Sequence, residues 1–134
     1  MNNLYDILNI GNNNIEKVIQ EVIDETKREL VNLDKEGTCF IYTSYLYQNL
    51  KGRNILCYIV DTMEDYDMEY QHRFIVIPKD EEYNYVLDLT VSQFGENNFF
   101  NEMKLKGYQL LNKNTYNSYL KYVSVKRGIK RHNY

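Results

Sequence analysis

The sequence predicts an α+β domain in which N-terminal helices pack on an antiparallel sheet. The first third of the chain carries apolar residues at the spacing of helices, and the middle switches to short apolar runs of strand length. No linker, repeat or low-complexity block interrupts the 134 residues, which is enough chain to bury a core without metal or disulfide support. We therefore assign residues 1–134 to a single domain, with its core at about 13–125 and a basic tail at 126–134.

Two helices are expected before the strands. The first has Asn13 or Asn14 as its N-cap, and its apolar positions are Ile15, Val18, Ile19, Val22, Ile23 and Leu30. The segment "DKEG" ends this pattern. A second helix is predicted from about Thr38 to Leu50, with Gly52 as its C-cap. One stripe of this helix comprises Cys39, Thr43, Leu46 and Leu50.

Three apolar runs then predict strands. "NILCYIVD" (54–61) is continuous, which is typical of a strand covered on both faces, and it places Cys57 in the core. "RFIVIP" (73–78) predicts a second strand, and "YNYVLDL" (83–89) a third. "KDEEYN" has the composition of a turn, so the third strand is expected to pair back onto the second.

The C-terminal part is expected to add smaller elements. "NNFFNEMKLKG" (97–107) predicts a short helix closed by Gly107. "TYNSYLKYVSV" (115–125) fits a helix, a last strand or one followed by the other, and we expect the mixture. The basic tail, which contains His132, is expected to be solvated.

Composition narrows the classes of partner and compartment. A net charge of −3 gives no electrostatic reason to expect nucleic acid or an anionic membrane as the partner. No apolar run approaches the roughly 20 residues that span a bilayer, and the N-terminus lacks the basic region and cleavage site of a signal peptide. We expect a cytoplasmic protein with reduced, unpaired cysteines, while delivery into another cell as an effector stays open. No phosphate loop, dinucleotide fingerprint or zinc ligand set occurs, so neither a cofactor nor a metal is expected.

Three residues have the chemistry of a thiol catalyst. Cys39 lies where a helix begins, and unpaired N–H groups at a helix start favour negative charge on sulfur. His72, one of only two histidines, begins the second predicted strand, and Asp88 lies near the end of the third. A hairpin would bring Asp88 beside His72, and packing of the Cys39 helix on the sheet would complete the set. Thiol catalysis needs this combination of a nucleophile, a base and a group that orients the base.

The segments "GTCFIYTSYLYQNL", "HRFIVI" and "VLDLTVSQF" resemble the papain-like superfamily of cysteine enzymes over about residues 37–94. They look closest to transglutaminase-like proteins, NlpC/P60-like hydrolases and bacterial effector-type deamidases or proteases, several of which share a D-x-T-x-x-Q-F ending. The resemblance implies a papain-like fold with Cys39 as nucleophile, His72 as general base and Asp88 as orienting acid. No Gln precedes Cys39, and Phe40 stands where many relatives have Trp. The second oxyanion donor is therefore unassigned, with Asn32 and Gln93 as guesses.

These residues predict a thiol-dependent amide hydrolase or acyltransferase that acts on a protein or peptide. Resolution of a Cys39 thioester by water would give a protease or a glutamine deamidase, and resolution by an amine a transglutaminase. A catalytically inactive papain-like module that sequesters a partner protein is the alternative. An N-acetyltransferase-like role shares the order of the three residues but usually needs a longer chain. The oligomeric state stays open.

The acidic segment "DTMEDYDME" (61–69) lies just before His72. It lacks the glycine and the ligand spacing of a calcium loop, so we interpret it as a solvated loop. Such a loop would lie at the rim of the cleft and disfavour acidic substrates.

Overall fold

The computed structural model describes residues 12–33, 38–68 and 70–124. Its helices are α1 (Asn12–Glu29), α2 (Cys39–Gly52), α3 (Thr62–Tyr66), α4 (Asn101–Lys106) and α5 (Lys113–Ser124). Its strands are β1 (Tyr58–Asp61), β2 (Arg73–Pro78), β3 (Tyr83–Leu87) and β4 (Tyr108–Asn112). Two 3-10 turns, Val91–Gln93 and Asn98–Phe100, lie between β3 and α4.

The four strands form one antiparallel sheet in the order β1-β2-β3-β4. The predicted hairpin of β2 and β3 is confirmed: Ile75 lies opposite Leu87, and the turn between them follows Pro78. The prediction of an α+β fold with N-terminal helices on an antiparallel sheet is therefore confirmed.

Helices cover both faces of the sheet. Alternate residues of β2 point to opposite sides, so Ile75 and Ile77 pack with α1 and α2, while Phe74 and Val76 pack with α5 and the segment before it. The predicted apolar stripe of α1 forms part of the first core, and Cys57 is buried there as expected. Burial on both faces explains why β2 has the sequence of a continuous apolar run.

The first strand differs from its prediction. β1 covers only Tyr58–Asp61, and Tyr58 and Ile59 are 53% and 39% exposed, so the expectation of a strand covered on both faces is wrong. β1 is one of the two edge strands of the sheet within the described residues. The apolar run arises because Ile55 and Cys57, which precede the strand, are buried in the core.

The C-terminal elements also need correction. The last strand, β4, precedes the segment in which a strand was expected, and residues 115–124 are helical throughout instead of a mixture. The Asn112 side chain accepts a hydrogen bond from the N–H of Thr115 at 2.9 Å and so begins α5. The buried side of α5 then follows helical spacing, with Tyr119, Leu120, Tyr122 and Val123 in the core.

The two glycines predicted to end helices differ in outcome. Gly52 is the last residue of α2 and Arg53 is the C-cap, so the predicted cap is one residue early. Gly107 does end α4, with a φ of 88° that favours glycine. A Cβ there would lie 2.7 Å from Cδ2 of Leu89, so the site has no room for a larger residue.

Residues 61–68 contain a short helix and a buried aspartate, which differs from the solvated loop that was expected. Asp61 is buried, and its carboxylate accepts hydrogen bonds from the N–H groups of Met63 and Glu64, which begins the five-residue helix α3. Among the described residues of this segment, the exposed acidic side chains are Glu64, Asp65 and Asp67. Residues 126–134, with His132, lie outside the described residues. No helix in the described ranges is both long and apolar enough to cross a bilayer.

Candidate active site

The candidate site lies at one end of the sheet, where β2 begins, β3 ends and α2 starts. Cys39 is the first residue of α2 and is 8% exposed. One turn further along, the Thr43 hydroxyl donates a hydrogen bond to the backbone oxygen of Arg73 at 3.2 Å. This contact fixes the start of α2 against the start of β2.

His72 immediately precedes β2 and is 1% exposed. Its N–H donates to the Thr62 hydroxyl at 2.9 Å, and its backbone oxygen accepts from the N–H of Thr62 at 2.9 Å. Its imidazole lies edge-on to the Phe94 ring, with 4.8 Å between the ring centroids. The backbone and the ring of this histidine are thus both held in place.

Asp88 directly follows β3, and its carboxylate is buried with four hydrogen-bond donors around it. Oδ2 lies 2.5 Å from Nε2 of His72 and also accepts from the Tyr119 hydroxyl. Oδ1 accepts from the N–H and the hydroxyl of Thr90 at 3.0 and 3.1 Å. The Asp88 N–H donates to the backbone oxygen of Gly107 at 2.9 Å, so the crowded glycine turn also positions this residue.

The Cys39 thiol lies close enough to the imidazole of His72 to help raise the pKa of that ring. The structure therefore places the three residues singled out from the sequence near one another, with a direct contact between His72 and Asp88 and with Cys39 as a neighbour of the imidazole. The three residues come from separate segments, and hydrogen bonds outside this group also hold each segment in place.

The electrostatics of this group favour a charged pair. Burial opposes the imidazolium, but the Asp88 carboxylate and the Cys39 thiol raise the pKa of His72 from 6.5 to about 9. Burial likewise opposes ionisation of Asp88, yet His72, Tyr119 and the Thr90 N–H hold the pKa of its carboxyl below its ordinary value. Both shifts favour the imidazolium form of His72 and the carboxylate form of Asp88.

A second polar group borders the site on the side of β1. Oδ2 of Asp61 accepts from Nε of Arg73 at 2.8 Å and from Nε2 of Gln71 at 2.7 Å. The Arg73 guanidinium lies over the Phe40 ring, 4.0 Å from its centroid. Gln71 and Arg73, the residues on either side of His72 in the chain, are thus both hydrogen-bonded to Asp61.

Sequence reasoning missed two of these partners. Tyr119 is one of 14 tyrosines and lies 31 residues after Asp88, so nothing in the sequence distinguishes it. Thr90 belongs to the D-x-T-x-x-Q-F pattern. A hydrogen-bond donor two residues after an aspartate is a common local arrangement, so the contact of Thr90 with Asp88 was predictable from the sequence. Of the two guesses for an oxyanion donor, Asn32 is exposed after α1 and Gln93 ends a 3-10 turn.

The described residues contain no group of three or more His, Cys, Asp or Glu side chains that could hold a metal ion. No protein-family model, curated protein or solved structure matches the chain.

Proposed function

We propose that this protein is a papain-like thiol enzyme that cleaves or transfers the acyl group of an amide bond through a thioester on Cys39. The observation that carries the proposal is the buried His72, which Asp88 holds at 2.5 Å and whose pKa the neighbouring Cys39 thiol helps to raise. The order of the three residues along the chain supports the same family.

In the first step, Sγ of Cys39 attacks the carbonyl carbon of the substrate while His72 holds the thiol proton. Because Asp88 occupies Nε2, Nδ1 is the ring nitrogen left for this proton. The N–H of Cys39 at the start of α2 donates to the carbonyl oxygen as negative charge develops there. The C–N bond then breaks, and His72 gives its proton to the leaving amine.

In the second step, water or an amine attacks the thioester, and His72 takes the proton of the attacking group. The tetrahedral intermediate collapses and the Cys39 thiolate leaves, which regenerates the starting site. Water as the acceptor makes the enzyme a protease or a glutamine deamidase, whereas an amine makes it a transglutaminase. A protein or peptide is the proposed substrate.

A partner-binding module with an inactive site is the second candidate. It is favoured by one observation, namely that the first turns of α2 expose Phe40, Ile41 and Tyr45. These apolar side chains begin directly after Cys39, so the same surface serves to bind a substrate in the first candidate or a partner in the second.

A small ester tests the chemistry without knowledge of the substrate. We expect p-nitrophenyl acetate to give a burst of p-nitrophenol and an acetyl adduct that mass spectrometry assigns to Cys39. The Cys39→Ala variant should give neither, and Cys57→Ala should behave like wild type. Acetyl transfer to added glycine ethyl ester would identify an amine acceptor. A folded wild-type protein that forms no adduct on Cys39 would contradict the enzymatic proposal and favour the binding module.

A further inference from the structure

We propose that Tyr119 is a positioning residue of the candidate site, whose hydroxyl orients the Asp88 carboxylate and limits how tightly that carboxylate holds the His72 proton. This inference rests on the proposed function, since a role in catalysis requires that the site be catalytic. It adds helix α5 to a candidate site that the sequence predicted from three segments, those of Cys39, His72 and Asp88.

The Tyr119 hydroxyl and Nε2 of His72 both form hydrogen bonds with the same oxygen of Asp88. Oδ2 of Asp88 accepts from Nε2 of His72 and from the Tyr119 hydroxyl, while Oδ1 accepts only from Thr90. A donor on each oxygen fixes the plane of the carboxylate. The donor from Tyr119 also withdraws negative charge from the oxygen that faces the imidazole, so the two donors compete.

The packing of the Tyr119 ring leaves its hydroxyl little freedom. The side chain is fully buried, with its ring perpendicular to that of Phe74 at 5.3 Å and tilted 79° from that of Phe100 at 5.0 Å. The aromatic contacts do not depend on the hydroxyl, so a Tyr→Phe change removes the hydrogen bond and keeps the packing.

The protonation of Tyr119 is constant over the range in which His72 titrates. Burial, with Asp88 next, raises the pKa of Tyr119 well above its ordinary value, so the hydroxyl stays a donor. Within the described residues, the titratable groups that face His72 are Cys39 from α2 and Asp88 from the end of β3. Those that face Tyr119 are Asp88, Tyr122 and Tyr116. Any change that follows loss of the hydroxyl therefore reaches His72 through Asp88.

Helix α5 offers a matched control in Tyr122. This tyrosine is also buried in the same aromatic cluster, but its hydroxyl donates to the backbone oxygens of Phe94 and Gly95. Tyr122→Phe thus removes a buried hydroxyl from the same helix without touching the carboxylate. Both variants are to be compared with wild type at equal folded fraction, as measured by circular dichroism.

The test has two readouts, namely the titration of His72 by NMR and the rate at which Cys39 is acetylated by p-nitrophenyl acetate. In Tyr119→Phe, the Asp88 oxygen keeps His72 as its only donor, so we expect the His72 titration to move to higher pH. Acetylation near neutral pH should change by more than about threefold, because the sulfur that attacks the ester is paired with this imidazole, whereas p-nitrophenolate leaves without taking a proton from the ring. Tyr122→Phe should leave both readouts within about twofold of wild type. A His72 titration in Tyr119→Phe that is unchanged or moves to lower pH would overturn the inference.

The two readouts separate this inference from the proposed function. If wild type forms no acetyl adduct, the proposed function fails, whereas the NMR titration still reports whether Tyr119 acts on His72 through Asp88. If Tyr119→Phe reduces the folded fraction, wild type supplies a third measurement. A hydroxyl proton bonded to a buried carboxylate should give a slowly exchanging downfield resonance that shifts as His72 titrates. A folded wild type in which the Tyr119 resonance does not respond to this titration would overturn the inference.

Discussion

The two cysteines of this protein are both free and both buried, and they differ in what surrounds the sulfur. Cys57 lies in the core between the sheet and the first two helices, where burial raises the pKa of its thiol to about 11 and Lys51 only partly opposes the shift. Cys39 lies at the start of α2, next to a histidine whose pKa the Asp88 carboxylate raises to about 9 against the effect of burial. Burial by itself therefore makes a thiol inert, and a charged neighbour distinguishes a candidate nucleophile from a core residue.

The largest expected effect separates the two thiols directly. We expect iodoacetamide at neutral pH to alkylate Cys39 at least about a hundredfold faster than Cys57, because only Cys39 faces an imidazolium. Peptide mapping by mass spectrometry gives both rates in one experiment, and Cys39→Ala should remove the fast phase. Equal rates for the two cysteines would remove the basis of the comparison.

The second prediction removes the charged neighbour. His72→Gln keeps a polar side chain beside Asp88 but cannot carry a proton, so alkylation of Cys39 should slow by about a hundredfold. The rate at Cys57 should not change, which provides the control within the same molecule. A Cys39 that stays fast in this variant would mean that the start of α2 activates the sulfur without the histidine.

The third prediction concerns stability, because the charged pair behind Cys39 links folding to pH. His72 binds its proton more tightly in the folded state, so its contribution is complete below about pH 6.5 and is lost as the pH rises through about 9. Urea unfolding of wild type should show a free energy that falls by up to about 3 kcal/mol across this range. Asp88 acts in the opposite direction at acid pH: its contribution is present above its ordinary pKa and is lost as the pH falls through its lowered value.

The control for this prediction is the titration of a protein without the imidazole. His72→Gln should lose most of this pH dependence, whereas Cys57→Ala should keep most of it, because the Cys57 thiol stays neutral in the folded state and affects stability only as it ionises in the unfolded chain near pH 9. If the free energy of unfolding of wild type is constant between pH 6.5 and 9, His72 does not bind its proton more tightly in the folded state than in the unfolded state.

The residues of the candidate site differ in how well the sequence alone could predict them. A helix start, a strand start and a strand end are local features, so Cys39, His72 and Asp88 could be selected from spacing alone. The β2–β3 hairpin then determined that Asp88 lies near His72, since its turn fixes the register. Tyr119 could not be found in this way, because its contact with Asp88 depends on how α5 packs across the sheet.

The errors in the fold have a similar origin. The run at 54–61 is apolar because of residues that pack before β1 begins, and composition does not separate packing in a loop from packing in a strand. β4 was not predicted because "YQLLN" is short and only partly buried, so its place in the sheet depends on pairing with β3. Asp61 looked like part of an acidic loop, whereas its burial depends on Arg73 and Gln71 from further along the chain.

The smallest expected effect concerns the charge of Lys51, which acts on Cys57. The ammonium of Lys51 lowers the pKa of the Cys57 thiol against the larger effect of burial, so Lys51→Met should raise that pKa further. In a Cys39→Ala background, alkylation of Cys57 at pH 9 should slow by no more than about threefold, since the charge acts from near the protein surface and is screened by salt. Lys113→Met, which removes an exposed lysine from the start of α5, should leave the rate unchanged. A faster reaction in Lys51→Met would mean that access to the sulfur, and not the charge beside it, limits the reactivity of Cys57.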